Sequence, residues 1–173
     1  MDLVYLTPHE VASDPVLEAH ALSGLGDINE GASPSGPSLM ARAALKIAAL
    51  TGEYHYREWA WSLVQPFATH ALATPLGLGG VLRVLSELAE PPRELVVVAD
   101  SASELSGTAH AWQAEGALSV VVSSQQADAF VAAGFSLFEG RTNGVVPTAY
   151  LCHRGVCELP VTSAKELQAR LTQ

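Results

Sequence analysis

The chain has 173 residues, 49% of them apolar, with 18 acidic and 9 basic side chains for a net charge of −9. That size suits one domain, or one domain with an extra helical segment, and the apolar share is enough for a core. The scattered basic residues exclude a phosphate-tracking stripe or an anionic membrane surface, and no stretch reaches the roughly 18 apolar residues of a membrane span.

The opening "MDLVYLTPHE" has neither the basic nor the apolar region of a secretory leader. The chain is therefore expected to be cytoplasmic, with no nucleic-acid and no membrane partner. Residues 1–37 hold Pro8, Pro15, Pro34 and Pro37 among four glycines, and read as loop except for a short helix at "DPVLEAHAL". From Ser38, "SLMARAALKIAALTG" sets Leu39, Ala43, Ile47 and Leu50 at helical spacing, with Ser35 or Ser38 as cap, Pro37 in the first turn and Gly52 as stop. A second helix, "EYHYREWAWSLVQPFATHAL", lines up Trp59, Leu63, Phe67 and Ala71, and Pro66 predicts a kink or break. A third, "LGGVLRVLSELAE", stops before Pro91 and Pro92.

The pattern then changes to strands and helices in alternation. "ELVVVAD" (94–100) and "ALSVVVSS" (117–124) are continuous apolar runs of the kind buried parallel strands have. Between them "SASELSGTAHAWQAEG" reads as a helix capped at Ser101, and "QQADAFVAAGF" as a helix stopped by Gly134. "RTNGVV" is a loop with an Asn-Gly turn signal. "TAYLCHRGVCELP" then reads as a hairpin and "SAKELQARL" as a last helix capped by Thr162 or Ser163. The expected fold class is α/β. A mixed sheet with parallel core strands and a C-terminal hairpin, in the order β-α-β-α-β-β-α, follows a segment of about three helices. The expected boundary divides 1–92 from 93–173.

Two stretches could carry chemistry. In the first, "DINEGASPSGPS", Asp27, Glu30, Ser33, Ser35, Gly36 and Ser38 gather on a loop that feeds a helix N-terminus, where amides could hold an oxygen-rich ligand. Asp27 and Glu30 could act as a carboxylate pair; equally, the loop could be a capping structure whose serines satisfy amides. The second is the pair Cys152 and Cys157. With Arg154-Gly155 as a two-residue turn, the cysteines face each other across the hairpin, with Cβ atoms about 4.5–5.5 Å apart. A structural zinc site wants four ligands, and neither the lone cysteine pair nor the histidine spacings provide them, so no metal and no cofactor are expected. A redox couple, a cross-strand disulfide and two packed apolar side chains stay open, with packed side chains favoured. Exposure of either sulfur would favour a thiol switch.

"VVPTAYLCHRGVCELPVTSAKELQARL" resembles the C-terminal half of thioredoxin folds, in which a Val-Pro-Thr precedes a strand, a hairpin and a helix; that resemblance implies a cis Pro147, and an ordinary strand-start proline is the equal alternative. Ser101-Ala102-Ser103-Glu104 stands where such folds place Cys-x-x-Cys, so oxidoreductase activity of that kind is not implied. "EGASPSGPSLMARAALKIAALTGEYHYREWA", "VVVAD", "ALSVVVSS" and "PTAYLCHRGVCELP" together resemble the C-terminal portion of the long thioredoxin-domain proteins, which include the spermatogenesis-associated thioredoxin-like family. The resemblance covers nearly the whole chain. It implies the end of a helical toroid followed by an α/β domain, without the thioredoxin domain or most of the toroid. Pro37 replaces the family's Asn in Pro-Ser-Gly-Asn-Ser, so any role of that side chain is lost. An open helical face implies a homo-oligomer or a protein partner there. On this reading the chain is a non-catalytic interaction or assembly module. The alternatives are a carbohydrate-type site at residues 27–38 and a thiol redox switch at Cys152 and Cys157.

Overall fold

The computed structural model describes residues 30–31, 33–112, 114, 116–141 and 145–172. The helix expected at "DPVLEAHAL", the Asn143-Gly144 turn and Asp27 lie outside the described residues. Two compact units are present, one of His55–Leu88 with the chain up to Leu45, the other of Lys46–Tyr54 with Ala89–Gln173.

The first unit is helical. It holds the part of helix α1 (Gly36–Thr51) up to Leu45, with α2 His55–Val64, α3 Ala68–Ala73 and α4 Gly79–Ala89. Pro66 falls in the 3-10 turn Gln65–Phe67 that separates α2 from α3, since proline removes a helix donor and crowds the preceding turn. Leu63, Ala71, Val81 and Val84 are buried together with Ala41, Ala44 and Leu45, and Trp59 and Phe67 pack against them. On α1 the expected stripe is corrected. Leu39 and Ile47 are exposed and Ala43 is too, while Ser38, Ala41, Ala44, Leu45 and Ala48 are buried. Both sets fit a period of 3.6 residues, and the buried one is mostly alanine and serine.

The second unit is a three-layer α/β structure. Strands β1 (Glu94–Val98), β2 (Leu118–Val122), β3 (Thr148–His153) and β4 (Val156–Cys157) form one sheet in the order β2-β1-β3-β4. β1 runs parallel to β2 and antiparallel to β3, and β3 antiparallel to β4. The mixed sheet with a parallel core pair and a closing hairpin is thus the expected one. Helix α5 (Glu104–Ala111) makes the crossover, α6 (Ser124–Ala132) follows β2, and α7 (Ala164–Leu171) is the last helix among the described residues.

The pleat sends alternate residues to opposite faces. Leu95, Val97, Ala149 and Leu151 meet Leu105, Ala109, Leu167 and Leu171 on one side. Val96 and Val98 meet Ala127, Leu137 and Phe138 on the other, where Leu50 and Tyr150 also pack. The cap of α5 is Ser103, whose side chain accepts from the Ser106 amide at 3.1 Å, rather than Ser101. Ser123 and Gln126 form a reciprocal capping box on α6. Ser163 holds the cap position of α7 without a side-chain hydrogen bond. Among the described residues no peptide bond is cis, so Pro147 departs from the isomer its thioredoxin resemblance implies. Among them, too, no helix is long and apolar enough to cross a membrane.

Candidate functional site

The turn of the hairpin is Arg154-Gly155, with φ of 53° and 75°. Two successive positive φ values define a type I′ turn, whose twist matches that of the strands. It sets Cys152 opposite Cys157 and His153 opposite Val156. The Glu158 amide donates to the Leu151 carbonyl at 2.9 Å, which leaves the cysteines as the intervening pair without ladder hydrogen bonds, where side chains come closest. There the two sulfurs are joined in a disulfide. The packed but unbonded pair favoured by the sequence is corrected in this respect: strand geometry brings the sulfurs into bonding range. Cys152 is buried and Cys157 is exposed.

Arg141 completes the site. Its Nη2 lies 3.1 Å from Cys152 Sγ and 2.7 Å from Cys157 Sγ. Nη1 donates to the Leu137 carbonyl, and the guanidinium carbon stands 5.7 Å from the centre of the Tyr150 ring, within cation–π range. The backbone that carries this arm is pinned by aromatic packing. Phe138 is buried and stacks on Phe130 with ring centres 4.9 Å apart, Phe135 meets Phe130 edge-on at 5.6 Å, and the Arg141 amide donates to the Phe138 carbonyl at 3.0 Å. Burial pushes the Arg141 pKa below its ordinary value, with Glu94 and Tyr150 pulling it back up. An arginine so placed still carries its charge at neutral pH.

Glu94 opens β1 directly across from Cys152, so the two side chains share a face. Burial raises the Glu94 pKa, and the charges of Arg141, Lys46 and His153 oppose the rise. Lys46 donates to the carbonyls of Gly116 and, at 3.2 Å, Ala117. His153 points to the opposite face, where its Nε2 lies 2.9 Å from the Pro91 carbonyl and 3.0 Å from a Glu90 oxygen. The resulting arrangement is a half-buried cation against two sulfurs, one on a buried residue and one on an exposed residue. A cation in that position favours thiolate over thiol and makes the cysteine a better nucleophile and a better leaving group.

The loop at residues 30–38 is arranged differently. Ser35 caps α1: its carbonyl accepts from the Leu39 amide at 3.0 Å, and its Oγ is 3.4 Å from the Ser38 amide and 2.9 Å from Ser38 Oγ. Glu30 Oε1 accepts from both the amide and the hydroxyl of Ser35, at 3.2 and 3.0 Å, and its Oε2 accepts from the Gly80 amide at the start of α4. Burial works to raise the Glu30 pKa, but hydrogen bonds from Ser38, Gly80 and Ser35 outweigh it and hold the carboxyl below its ordinary range. Ser35 and Ser38 are buried; Ser33 and Gly36 are exposed. One carboxylate thus ties together two helix starts, and a ligand here would have to displace those bonds. Trp59 packs, partly buried, against the core of this unit and Trp61 is 44% exposed.

Just past the end of β1, Asp100 accepts from the amide and hydroxyl of Ser124, each at 2.7 Å. Those bonds hold its carboxyl below the ordinary range against a small opposing effect of desolvation. Among the described residues no group of three His, Cys, Asp or Glu could hold a metal ion. Arg141 is the member of the site that sequence reasoning missed; it stands 11 and 16 residues from the two cysteines, with no local pattern linking them.

No family model, no curated protein and no solved structure matches the chain.

Proposed function

We propose that the chain is a redox-responsive module whose Cys152–Cys157 couple switches between dithiol and disulfide under the control of Arg141. The observation that carries this reading is the single guanidinium nitrogen within reach of both sulfurs. A disulfide serving only as a staple gains nothing from a half-buried cation, and burying that cation is costly. The exposure of Cys157 supports it too, because exchange needs an accessible sulfur. The strand order, with β3 reversed beside β1, supports a thioredoxin-like frame and, with it, the resemblance to the C-terminal portion of the long thioredoxin-domain proteins. In a cytoplasm, where thiols are kept reduced, the dithiol would be the resting form and the disulfide the response.

The test is a titration in buffers of graded thiol–disulfide poise, with free thiols trapped by a maleimide and counted by intact mass. A cooperative exchange of two thiols for one disulfide is expected. Two thiols that remain free under oxidising poise would end the proposal.

A second reading rests on α1. Leu39 and Met40 are 50% and 45% exposed on its outer face, which supports a protein partner or second copy at the helical surface. Light scattering on a sizing column tests the second copy: a dimer supports it and a monomer removes it.

A further inference from the structure

We infer that the couple is asymmetric: Cys157 is the sulfur that an external low-molecular-weight thiol attacks and the nucleophile of the reduced form, Cys152 is the leaving and resolving sulfur, and Arg141 is the positioning cation for both. This rests on the thiol–disulfide reading above and adds a direction to it.

The direction follows from access. Cys152 is 1% exposed and lies on the sheet face covered by Phe138 and its neighbours, so an incoming thiolate has no path to it. Cys157 lies on the two-residue edge strand β4, exposed at both positions. Attack by RS⁻ on Cys157 Sγ forms the mixed disulfide R–S–S–Cys157. The old S–S bond breaks and its electron pair stays on Cys152 Sγ, where Arg141 Nη2 stands 3.1 Å away. A second RS⁻ attacks the outer sulfur of the mixed disulfide and releases RSSR with the Cys157 thiolate, which Arg141 Nη2 meets at 2.7 Å. The two protons of the two RSH molecules end on the two cysteines. The sum is one protein disulfide plus two thiols giving one protein dithiol plus one small disulfide.

In the oxidising direction the same geometry runs backwards. The Cys157 thiolate attacks a small disulfide, and Cys152, facing it across the hairpin, resolves the mixed species and expels the second small thiol. The guanidinium serves each anion in turn without moving. Nη1 stays on the Leu137 carbonyl and the Phe138–Phe130 stack holds the backbone.

The experiment that reads the asymmetry uses the native reduced chain and needs no variant. Limiting iodoacetamide is added, the reaction is quenched, and the two alkylated peptides are counted after trypsin. Arg154 lies between the cysteines, so cleavage there separates them into different peptides. Cys157 should be labelled on the order of tenfold faster than Cys152, because thiol reactivity follows exposure of the residue as well as thiolate fraction. Equal labelling, or faster labelling of Cys152, overturns the asymmetry. The two-thiol redox titration of the wild type judges the couple separately, so the two failures are distinguishable. The role of Arg141 is read from the pH–rate profile of Cys157 labelling. In Arg141→Met the midpoint should move up by about one unit, and in Arg141→Lys, which keeps the charge, by less. A profile unchanged in Arg141→Met removes the arginine from the mechanism.

Discussion

Arg141 Nη2 and Cys157 Sγ stand 2.7 Å apart although 16 residues separate them in the chain. The contact depends on two turns that have no sequence in common. One is the aromatic-pinned 3-10 turn Ser136–Phe138 that launches Arg141, and the other is the type I′ turn that brings Cys157 back beside Cys152. Each turn can be altered without touching the sulfurs, and the predictions begin there.

Phe138→Ala removes a buried ring from the face that carries Arg141. A large-to-small change of this kind costs about 3–5 kcal/mol, and the Arg141 arm loses the packing that aims it. Phe138→Leu keeps most of the volume and should cost less than about 1.5 kcal/mol. In urea unfolding the two variants should separate by that margin, and Cys157 labelling of folded Phe138→Leu should slow modestly. Wild-type stability in Phe138→Ala would contradict the packing account.

Arg154 has a φ of 53°, a region that costs most L-residues about 1 kcal/mol or more and that asparagine tolerates. Its side chain pairs with Glu90, but both partners are more than half exposed, so that ion pair contributes little. Arg154→Asn should therefore stabilise the hairpin by about 0.5–1 kcal/mol. A closer-held pair of sulfurs should also make the disulfide harder to reduce. Melting temperature and reduction midpoint should both move in the stabilising direction; a drop in melting temperature would show that the Glu90 pair outweighs the turn.

Much of the second unit was legible from the chain. The apolar runs at Leu95–Val98 and Leu118–Val122, each with a helix after it, specify parallel strands because both faces must be covered. The register of Cys152 on Cys157 follows from the two-residue spacing around Gly155. What sequence left open was decided by contacts distant in the chain. Whether facing sulfurs bond is not a property of their spacing. The cation beside them enters from another turn. On α1 the larger residues Leu39 and Ile47 drew the expected stripe to the wrong face, since periodicity fixes the angle between faces and not which one is buried. At the loop, Glu30 is legible as an acid near serines, but its bond to the Gly80 amide, 50 residues on, is not.

Glu94 predicts a pH dependence. Its folded pKa lies above the unfolded value of 4.5, so between the two the folded state holds more protons and stability falls as pH rises. Glu94→Gln should flatten that decline. Urea midpoints measured from about pH 4 to pH 8 read it directly. A wild-type midpoint that climbs through the window above 4.5, with no change of slope in Glu94→Gln, would oppose the burial account.

Glu30 has the opposite sign. Its folded pKa lies below 4.5, so its contribution is complete above that value and is lost as pH falls through the folded one. Glu30→Gln removes the charge that accepts from two helix starts and should cost about 1 kcal/mol near neutral pH. Gly80→Ala should cost less than Glu30→Gln, because an added Cβ 2.9 Å from Glu30 Cδ displaces only the flexible carboxylate and alanine favours the helix over glycine by up to about 1 kcal/mol. Unchanged denaturation curves for both variants would show that the loop bonds contribute nothing.

The most direct measurement is the reduction potential of the Cys152–Cys157 couple in the wild type and in Arg141→Met. If Arg141 stabilises the thiolates, it stabilises the reduced form, and its removal should shift the potential to more negative values, on the order of 30 mV for each tenfold in the equilibrium. A potential that is unchanged, or that becomes less negative, would contradict the claim that this arginine governs the couple.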